Sequence, residues 1–372
     1  MTSLSCSLKG QQKLFFLQFN QAASCCRAHG IDLDPSKTVD HYEKIWQNES
    51  QELDQGIRLE GCQHCWADED SGRLSYRQQN SGNKPHTIQL FLSNLCNHMC
   101  SYCSPKFSTV WNDSIKQAGP FTQISRTASM NLALAPQPNN IDYWLTQIEN
   151  YIVKQPDNSV NLKLLGGEPL MQQRNLEKLL ELNGSKIHKL IVHTNLNPPT
   201  NKFLLWILKN ISNEKLVIDI SLDATPNYNH VARAGFDRER FESNLVLVRQ
   251  HNINYRITAV VSALSLFDLP NFIRWNQEYG HQITYTKINN PACLSVDLLP
   301  VHIKQELTKT IDQPPPIVAE LLAASTESNQ IQLLEQYNYL TQYFNRAKID
   351  TDTIDNVLFQ NWWSWLKGTV KQ

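Results

Sequence analysis

The 372-residue sequence lacks an excess of charge of either sign. Its 34 Lys and Arg stand against 35 Asp and Glu, for a formal net charge of -1 and a pI near 6.8. That leaves no cationic footprint for nucleic acid or an anionic membrane, and neither is expected as a partner. No run of eighteen apolar residues occurs, so no helical membrane span is expected. The opening Met1-Thr2-Ser3-Leu4-Ser5-Cys6 lacks the charged-then-apolar order of a secretory signal. The nine cysteines are odd in number and tightly grouped, which points to metal ligands in a reducing cytoplasm rather than a disulfide framework.

One further lack is more informative. The stretch Leu95-Cys96-Asn97-His98-Met99-Cys100-Ser101-Tyr102-Cys103 follows a strand-like run, Ile88 to Leu92, and holds three cysteines with no fourth to close the set. A structural zinc site takes four ligands, usually as two close pairs. A cubane iron–sulfur cluster held by three thiolates leaves one iron free to bind something else. Buried thiols, or zinc completed by a distant ligand, are the alternatives. His98, between the first two cysteines, is expected to face outward.

Residues 1–87 contain Cys6, Cys25, Cys26, Cys62 and Cys65 and little continuous apolar pattern beyond a strand at Leu14 to Phe19 and a short helix at Asp40 to Gln47. Such a segment is expected to need a metal to hold it together. Cys6, one of Cys25 or Cys26, Cys62 and Cys65 supply four thiolates. Zinc satisfies that count as well as a cluster does.

From residue 88 apolar runs alternate with helical ones. Strands are expected at Ile88 to Leu92, Asn161 to Leu165, Lys189 to His193, Leu216 to Ser221, Tyr255 to Ser262 and Ile283 to Lys287. Helices fall near Ile141 to Lys154, Asn175 to Leu182, Thr200 to Asn210, Arg238 to His251 and Leu269 to Tyr279, with Asp237 and Asp268 as N-caps and Gly280 as a stop. This alternation predicts parallel βα units over 88–295. Residues 104–140 read as an insertion beside the cysteine loop, and 296–372 as a helical extension broken by Pro314 to Pro316 and ending in the aromatic stretch Phe359 to Leu366. In barrels of βα units the active site lies at the C-terminal strand ends. Those ends carry the cysteine loop, Gly166-Gly167-Glu168-Pro169, Thr194-Asn195, Ser221-Leu222-Asp223 and Ser262. Each also has a plain reading as a turn or cap residue. Cys293 reads as a buried thiol.

The spacing of Cys96, Cys100 and Cys103 resembles the signature of the radical S-adenosylmethionine (SAM) superfamily. The resemblance implies a partial (βα)6 TIM-like barrel in which those three thiolates hold a 4Fe-4S cluster. Its open iron takes the amino and carboxylate groups of SAM, and reductive cleavage yields a 5′-deoxyadenosyl radical that abstracts hydrogen from a substrate. Gly166, Gly167, Glu168 and Pro169 match the family's second motif, which receives the SAM amino group. Thr194 and Asn195 resemble the end of its third strand, near SAM, and Ser221 and Asp223 the residues that meet the cofactor's carboxylate and ribose. Arg233 resembles the arginine that pairs with the methionine carboxylate, and Tyr102 the aromatic that packs on adenine. No catalytic residue beyond the cluster and SAM is assigned.

A second resemblance covers the N-terminal segment. Cysteine, strand, cysteine, the helix with Trp46 and then Cys62 and Cys65 are similar to the auxiliary-cluster modules called twitch or SPASM domains, here placed before the barrel. Cys65-Trp66, Glu69, Gly72, Ser75 and Arg77, and later Phe107, Ser108, Thr109 and Trp111, look like twitch-containing radical SAM proteins of phage and bacterial genomes. This implies a second 4Fe-4S cluster on Cys6, Cys25 or Cys26, Cys62 and Cys65, with zinc as the alternative. The expected activity is hydrogen abstraction from a peptide, supported by an external electron donor such as flavodoxin or ferredoxin. Radical oxidation of a small molecule such as an amino sugar, and a non-catalytic iron–sulfur or zinc scaffold, are the rivals.

Overall fold

Short runs rich in Leu, Ile, Val and Phe supply most of the strands, because a strand covered on both faces needs apolar side chains on both. In chain order the strands are β1 (Gln12–Phe16), β2 (Gln21–Ala23), β3 (Ile31–Asp32), β4 (Thr87–Phe91), β5 (Met99–Cys100), β6 (Val160–Leu165), β7 (Ile187–Thr194), β8 (Leu216–Ser221), β9 (Arg233–Ala234), β10 (Asn254–Val261) and β11 (Ile283–Lys287). The computed structural model describes residues 4, 6–80, 86–135, 140–288, 290–311, 313–324 and 328–371. Residues 1–3 and 5, part of the stretch in which no secretory signal was expected, and 136–139 of the expected insertion lie outside them. The chain divides into two compact units. One comprises Met1–Asn94, Pro136–His193 and Lys202–Val217, the other Leu95–Ala135, Thr194–Asn201 and Ile218–Gln372. The chain is α/β with predominantly parallel strand pairs.

In the first unit the strand order is β3-β2-β1-β4-β6-β7. β1 pairs parallel with β4, β4 with β6, and β6 with β7, whereas β1, β2 and β3 pair antiparallel. The N-terminal segment therefore shares a sheet with the first expected barrel strand, Phe15 standing opposite Leu90. The strand expected to run to Phe19 ends at Phe16. Residues 17–19 turn instead, and Asn20 takes a left-handed conformation at φ 55°. The expected short helix runs over Val39–Asp54, burying Val39, Tyr42, Trp46 and Leu53 on one face. Tyr42 meets Trp144 of the helix Ile141–Val153 edge-on at 5.9 Å. Beneath them the buried Lys13 ammonium lies 3.0 Å from Glu43, whose other partner is the Tyr151 hydroxyl at 2.7 Å.

In the second unit β10 lies between β8 and β11 and pairs parallel with β11, while β5 and β9 form a separate antiparallel ribbon. Asp237 caps the helix Arg238–Gln250 by accepting from Arg240 N at 3.0 Å, and Gly280 ends the helix Leu269–Tyr279 at φ 66°. Asp268 is not the side-chain cap it was expected to be. Its carboxylate accepts instead from Thr225 N and Oγ1, at 2.8 and 2.6 Å, and from Asn271. The expected insertion contains the helices Thr109–Ala118 and Arg126–Asn131. The C-terminal extension forms the helices Val301–Lys309, Pro316–Ala323, Gln330–Ala347 and Val357–Val370. Its aromatic end is core: Trp362 packs 5.1 Å from Phe267 and Trp363 lies edge-on to Phe344 at 5.5 Å. Among the described residues no helix is long and apolar enough to cross a membrane.

His281 makes the second unit acid-sensitive. Its ring is buried against Trp275, Nδ1 meets the Tyr255 hydroxyl at 2.8 Å, and burial, reinforced by Arg249, pushes its pKa down to about 4. The unfolded chain therefore takes up this proton first, so the contribution is complete above about pH 6.5 and is lost as pH falls toward 4. His281→Asn should flatten the dependence of unfolding free energy on pH in that window, by less than one proton, as measured by urea unfolding at a series of pH values.

Candidate active site

The cysteine loop belongs to the second unit, and hydrogen bonds hold its backbone at several points, while His98 Nδ1 and Ser101 Oγ are buried without a partner among the described residues. β5 turns the loop back onto β9, with Met99 opposite Ala234 and Cys100 opposite Arg233. Ser101 N donates to Ala232 O at 2.8 Å, extending that ribbon. The close approach depends on Gly235, which sits at φ +91°, where a Cβ would fall 2.6 Å from Asn97 O. Side chains take several other backbone groups. Trp111 Nε1 donates to Cys100 O at 2.8 Å, Ser108 Oγ to His98 O at 2.6 Å, and Tyr339 OH to Ser101 O at 2.7 Å. Thr109 Oγ1 donates to Cys96 O at 2.9 Å and accepts from Cys96 N at 3.3 Å.

His98 does not face outward, which corrects the sequence expectation. The ring is 1% exposed, with Nε2 3.3 Å from Asn197 Oδ1, and burial pushes its pKa down to about 3. Its environment is a set of asparagines distant in sequence. Asn97 Nδ2 donates to Asn197 O at 2.7 Å, and Asn195 Nδ2 donates to Asn97 Oδ1 at 3.1 Å. Asn195 Oδ1 accepts from Asn197 N at 2.8 Å, and Asn197 Oδ1 accepts from Asp237 N at 3.0 Å. Burial and the nearby Arg233 and Arg240 favour the neutral imidazole, whose Nδ1 has no partner among the described residues.

Tyr102, Asp223 and Arg233 form one buried group. Arg233 Nε and Nη2 lie 2.8 and 3.1 Å from the two Asp223 oxygens, and Tyr102 OH donates to Asp223 Oδ2 at 2.6 Å. Val260 N adds a bond to Asp223 Oδ1 at 2.9 Å. Arg233 Nη1 turns the other way and lies 3.7 Å from Cys100 Sγ. Ser221 is half-buried at the end of β8, whereas Thr194 and Ser262 use their hydroxyls in turns, accepting from Leu196 N and from Leu264 N and Ser265 N.

Cys100 is buried and Cys96 and Cys103 are partly so. Burial pushes the Cys103 thiol up to about 12 and raises Cys100 as well, with Arg233 opposing that rise. Thiols in such a place stay protonated until a metal takes the proton's position, and three soft donors without a fourth fit an iron–sulfur cluster with one open iron. All nine cysteines are free of disulfides.

In the first unit, Gly166 sits at φ +113° with room only for hydrogen on its Cα: a Cβ would lie 3.0 Å from Ser93 O. Gly167 N donates to the same carbonyl at 2.9 Å. Glu168 is 1% exposed, and its Oε1 accepts from Leu170 N at 2.9 Å in the turn Pro169–Met171.

The N-terminal thiols converge. Cys6, Cys25, Cys62 and Cys65 line one small cavity, beside Lys9 and Tyr76; Cys26 is the more exposed of its pair and does not line the cavity, though its thiol reaches Cys25 and Tyr76. The cavity wall is held by Glu69, which takes Arg77 Nη2 at 2.7 Å and the Ser75 hydroxyl at 2.6 Å while Arg77 stacks over Trp66. Burial raises the Cys62 thiol, and a hydrogen bond with Cys26 raises Cys25. Four soft donors fit a cluster or zinc. Among the described residues, no group of three or more His, Cys, Asp or Glu side chains stands close enough to hold a single metal ion.

Sequence reading missed Asn197, Tyr339 and Tyr343. The two tyrosines stand at a helical i, i+4 spacing that reads as core, and only the fold shows Tyr343 OH donating to Ala232 O at 3.1 Å. Gly235→Ala should destabilise the protein by at least about 2 kcal/mol. Gly280→Ala, at φ +66° with open space around it, should cost only about 1 kcal/mol. Unfolding free energies of the two variants check this.

No family model and no curated protein matches this sequence. Among solved structures, the chain is similar to native anSMEcpe with bound AdoMet and Cp18Cys peptide, at 14% identity over 60% of this chain, with a TM-score of 0.41. It spans 57% of that protein's length. It is also similar to Streptococcus suis SuiB bound to S-adenosylmethionine, at 13% identity over 77% of this chain and 61% of SuiB, with a TM-score of 0.40. SuiB bound to the precursor peptide SuiA matches at 13% identity over 86% of this chain and 54% of SuiB, with a TM-score of 0.38.

Proposed function

We propose that this protein is a radical SAM enzyme in which Cys96, Cys100 and Cys103 hold a 4Fe-4S cluster with one iron open to SAM. The supporting observation is the loop itself: three thiols without a fourth, on a backbone whose contacts come from Trp111, Ser108, Thr109 and Tyr339. A protein that only buried its cysteines would have no need to present three of them on so constrained a loop. Bound there, the cluster supplies the electron that cleaves SAM and so initiates hydrogen abstraction from the substrate. The chain's own residues bind and orient. Gly166, Gly167, Glu168 and Pro169 receive the SAM amino group, Tyr102 packs on adenine, and Thr194, Asn195 and Ser221 lie near the cofactor. Asp223 and Arg233, given to the ribose and the methionine carboxylate by the resemblance, are taken up again below. Cys6, Cys25, Cys62 and Cys65, a ligand set supported by their shared cavity, hold a second 4Fe-4S cluster. The substrate is a peptide carbon, the electron comes from an external flavodoxin- or ferredoxin-type donor, and the chemistry runs in a reducing cytoplasm.

Anaerobically reconstituted protein with SAM and reductant should release 5′-deoxyadenosine and methionine, and the triple substitution of Cys96, Cys100 and Cys103 by Ala should abolish that release. The variant should keep about half the iron, since each cubane carries four irons. Absence of cleavage by the reconstituted wild type would overturn the enzyme reading, and zinc in place of the remaining iron would overturn the second cluster. Deuterium transfer from a labelled peptide into 5′-deoxyadenosine tests the substrate class.

A further inference from the structure

The resemblance gives Arg233 and Asp223 to SAM, yet both side chains are already engaged in the fold. An ionised carboxylate offers about four acceptor positions, and Asp223 fills them with Tyr102 OH, Arg233 Nε, Arg233 Nη2 and Val260 N. Its side chain is 0% exposed and that of Arg233 is 8% exposed. The guanidinium also packs over the Tyr102 ring at 5.5 Å. Two of the three guanidinium nitrogens are therefore spent on Asp223.

The third nitrogen has one partner, Cys100 Sγ, at 3.7 Å. The backbone dictates this meeting. Cys100 and Arg233 stand directly opposite each other in the antiparallel β5–β9 ribbon, and opposed residues project their side chains to the same face. Gly235 lets β9 approach the loop closely enough for that register.

We propose that Arg233 is a tuning residue for the cluster: its Nη1–H donates to the Cys100 sulfur, and Asp223 and Tyr102 hold the guanidinium in that position. This rests on the cluster reading above. A donor hydrogen bond and a positive charge beside a ligand sulfur stabilise the more negative, reduced cluster and so raise its reduction potential. Asp223 opposes the effect through its own charge, in a buried setting where both charges act strongly. The pair sets the potential by its balance.

The test is a redox titration of reconstituted full-length protein, followed by electron paramagnetic resonance of the component whose spectrum changes when SAM is added. Arg233→Lys keeps the charge but loses the planar fork, and the midpoint should fall. The expected size is a roughly tenfold change in the reduced-to-oxidised ratio at fixed poise, about 59 mV for a one-electron couple. Asp223→Asn should move the midpoint the opposite way, a pairing of signs that general loosening of the site does not produce. Unmoved midpoints, or two shifts of the same sign, would overturn the proposal. Should Arg233→Lys fail to assemble, Arg233→Gln takes its place, and its midpoint should also fall. Wild-type protein with no SAM-responsive cluster would remove the functional reading and this inference together, whereas a responsive cluster with an unmoved midpoint removes only the inference.

Discussion

A guanidinium placed beside a buried thiol is tolerable only with a carboxylate to pair with it, and that requirement organises the second unit. Arg233 meets Cys100 on one side and Asp223 on the other, and Asp223 in turn holds Tyr102 and the backbone of Val260. Removing one partner of such a pair typically costs about 3–5 kcal/mol, because the other charge is left buried and unpaired. Against a net stability of about 5–15 kcal/mol for a folded domain, the group must form as a whole. Three segments distant in sequence, at residues 102, 223 and 233, are thereby fixed to one another. The cysteine loop inherits its shape from them.

The same logic extends outward from the loop. A buried polar group left without a partner costs about 1–3 kcal/mol; His98 Nε2, Asn97, Asn195 and Asn197 avoid that cost by forming one network, whereas His98 Nδ1 has no partner among the described residues. The helix Gln330–Ala347 of the C-terminal extension completes the arrangement by sending Tyr339 and Tyr343 to the carbonyls of Ser101 and Ala232. These bonds fix the backbone that carries Cys96, Cys100 and Cys103. The N-terminal thiols are positioned by different means: β1 pairs with β4, and an ion pair between Arg77 and Glu69 braces the cavity they line.

Much of the fold was legible in the sequence. The apolar runs expected as strands at 161–165, 189–193, 216–221 and 283–287 appear within two residues of their expected ends. β5 and β9 were not legible, because two residues carry no period, yet their pairing sets the register of Cys100 against Arg233. The helix Val39–Asp54 outran its expected end at Gln47 because its second half is mostly polar, with only Leu53 marking the buried face. In the site, the cysteine spacing and Gly166-Gly167 stood out because their chemistry is local. His98 was misread because Asn197, which receives it, lies 99 residues away. Cys25 and Cys26 are neighbours that only burial separates, and the engagement of Asp223 by four donors is a property of the folded chain alone.

The proposed cluster on Cys96, Cys100 and Cys103, with an iron open to SAM, can be tested at that iron. The most direct measurement is electron–nuclear double resonance on the reduced, reconstituted protein with SAM labelled at the methionine amino nitrogen and carboxylate oxygens. Hyperfine coupling from both labels to the cluster is expected, lost when Cys96, Cys100 and Cys103 are replaced by Ala. A reduced cluster at these cysteines that shows no coupling to either label would contradict it.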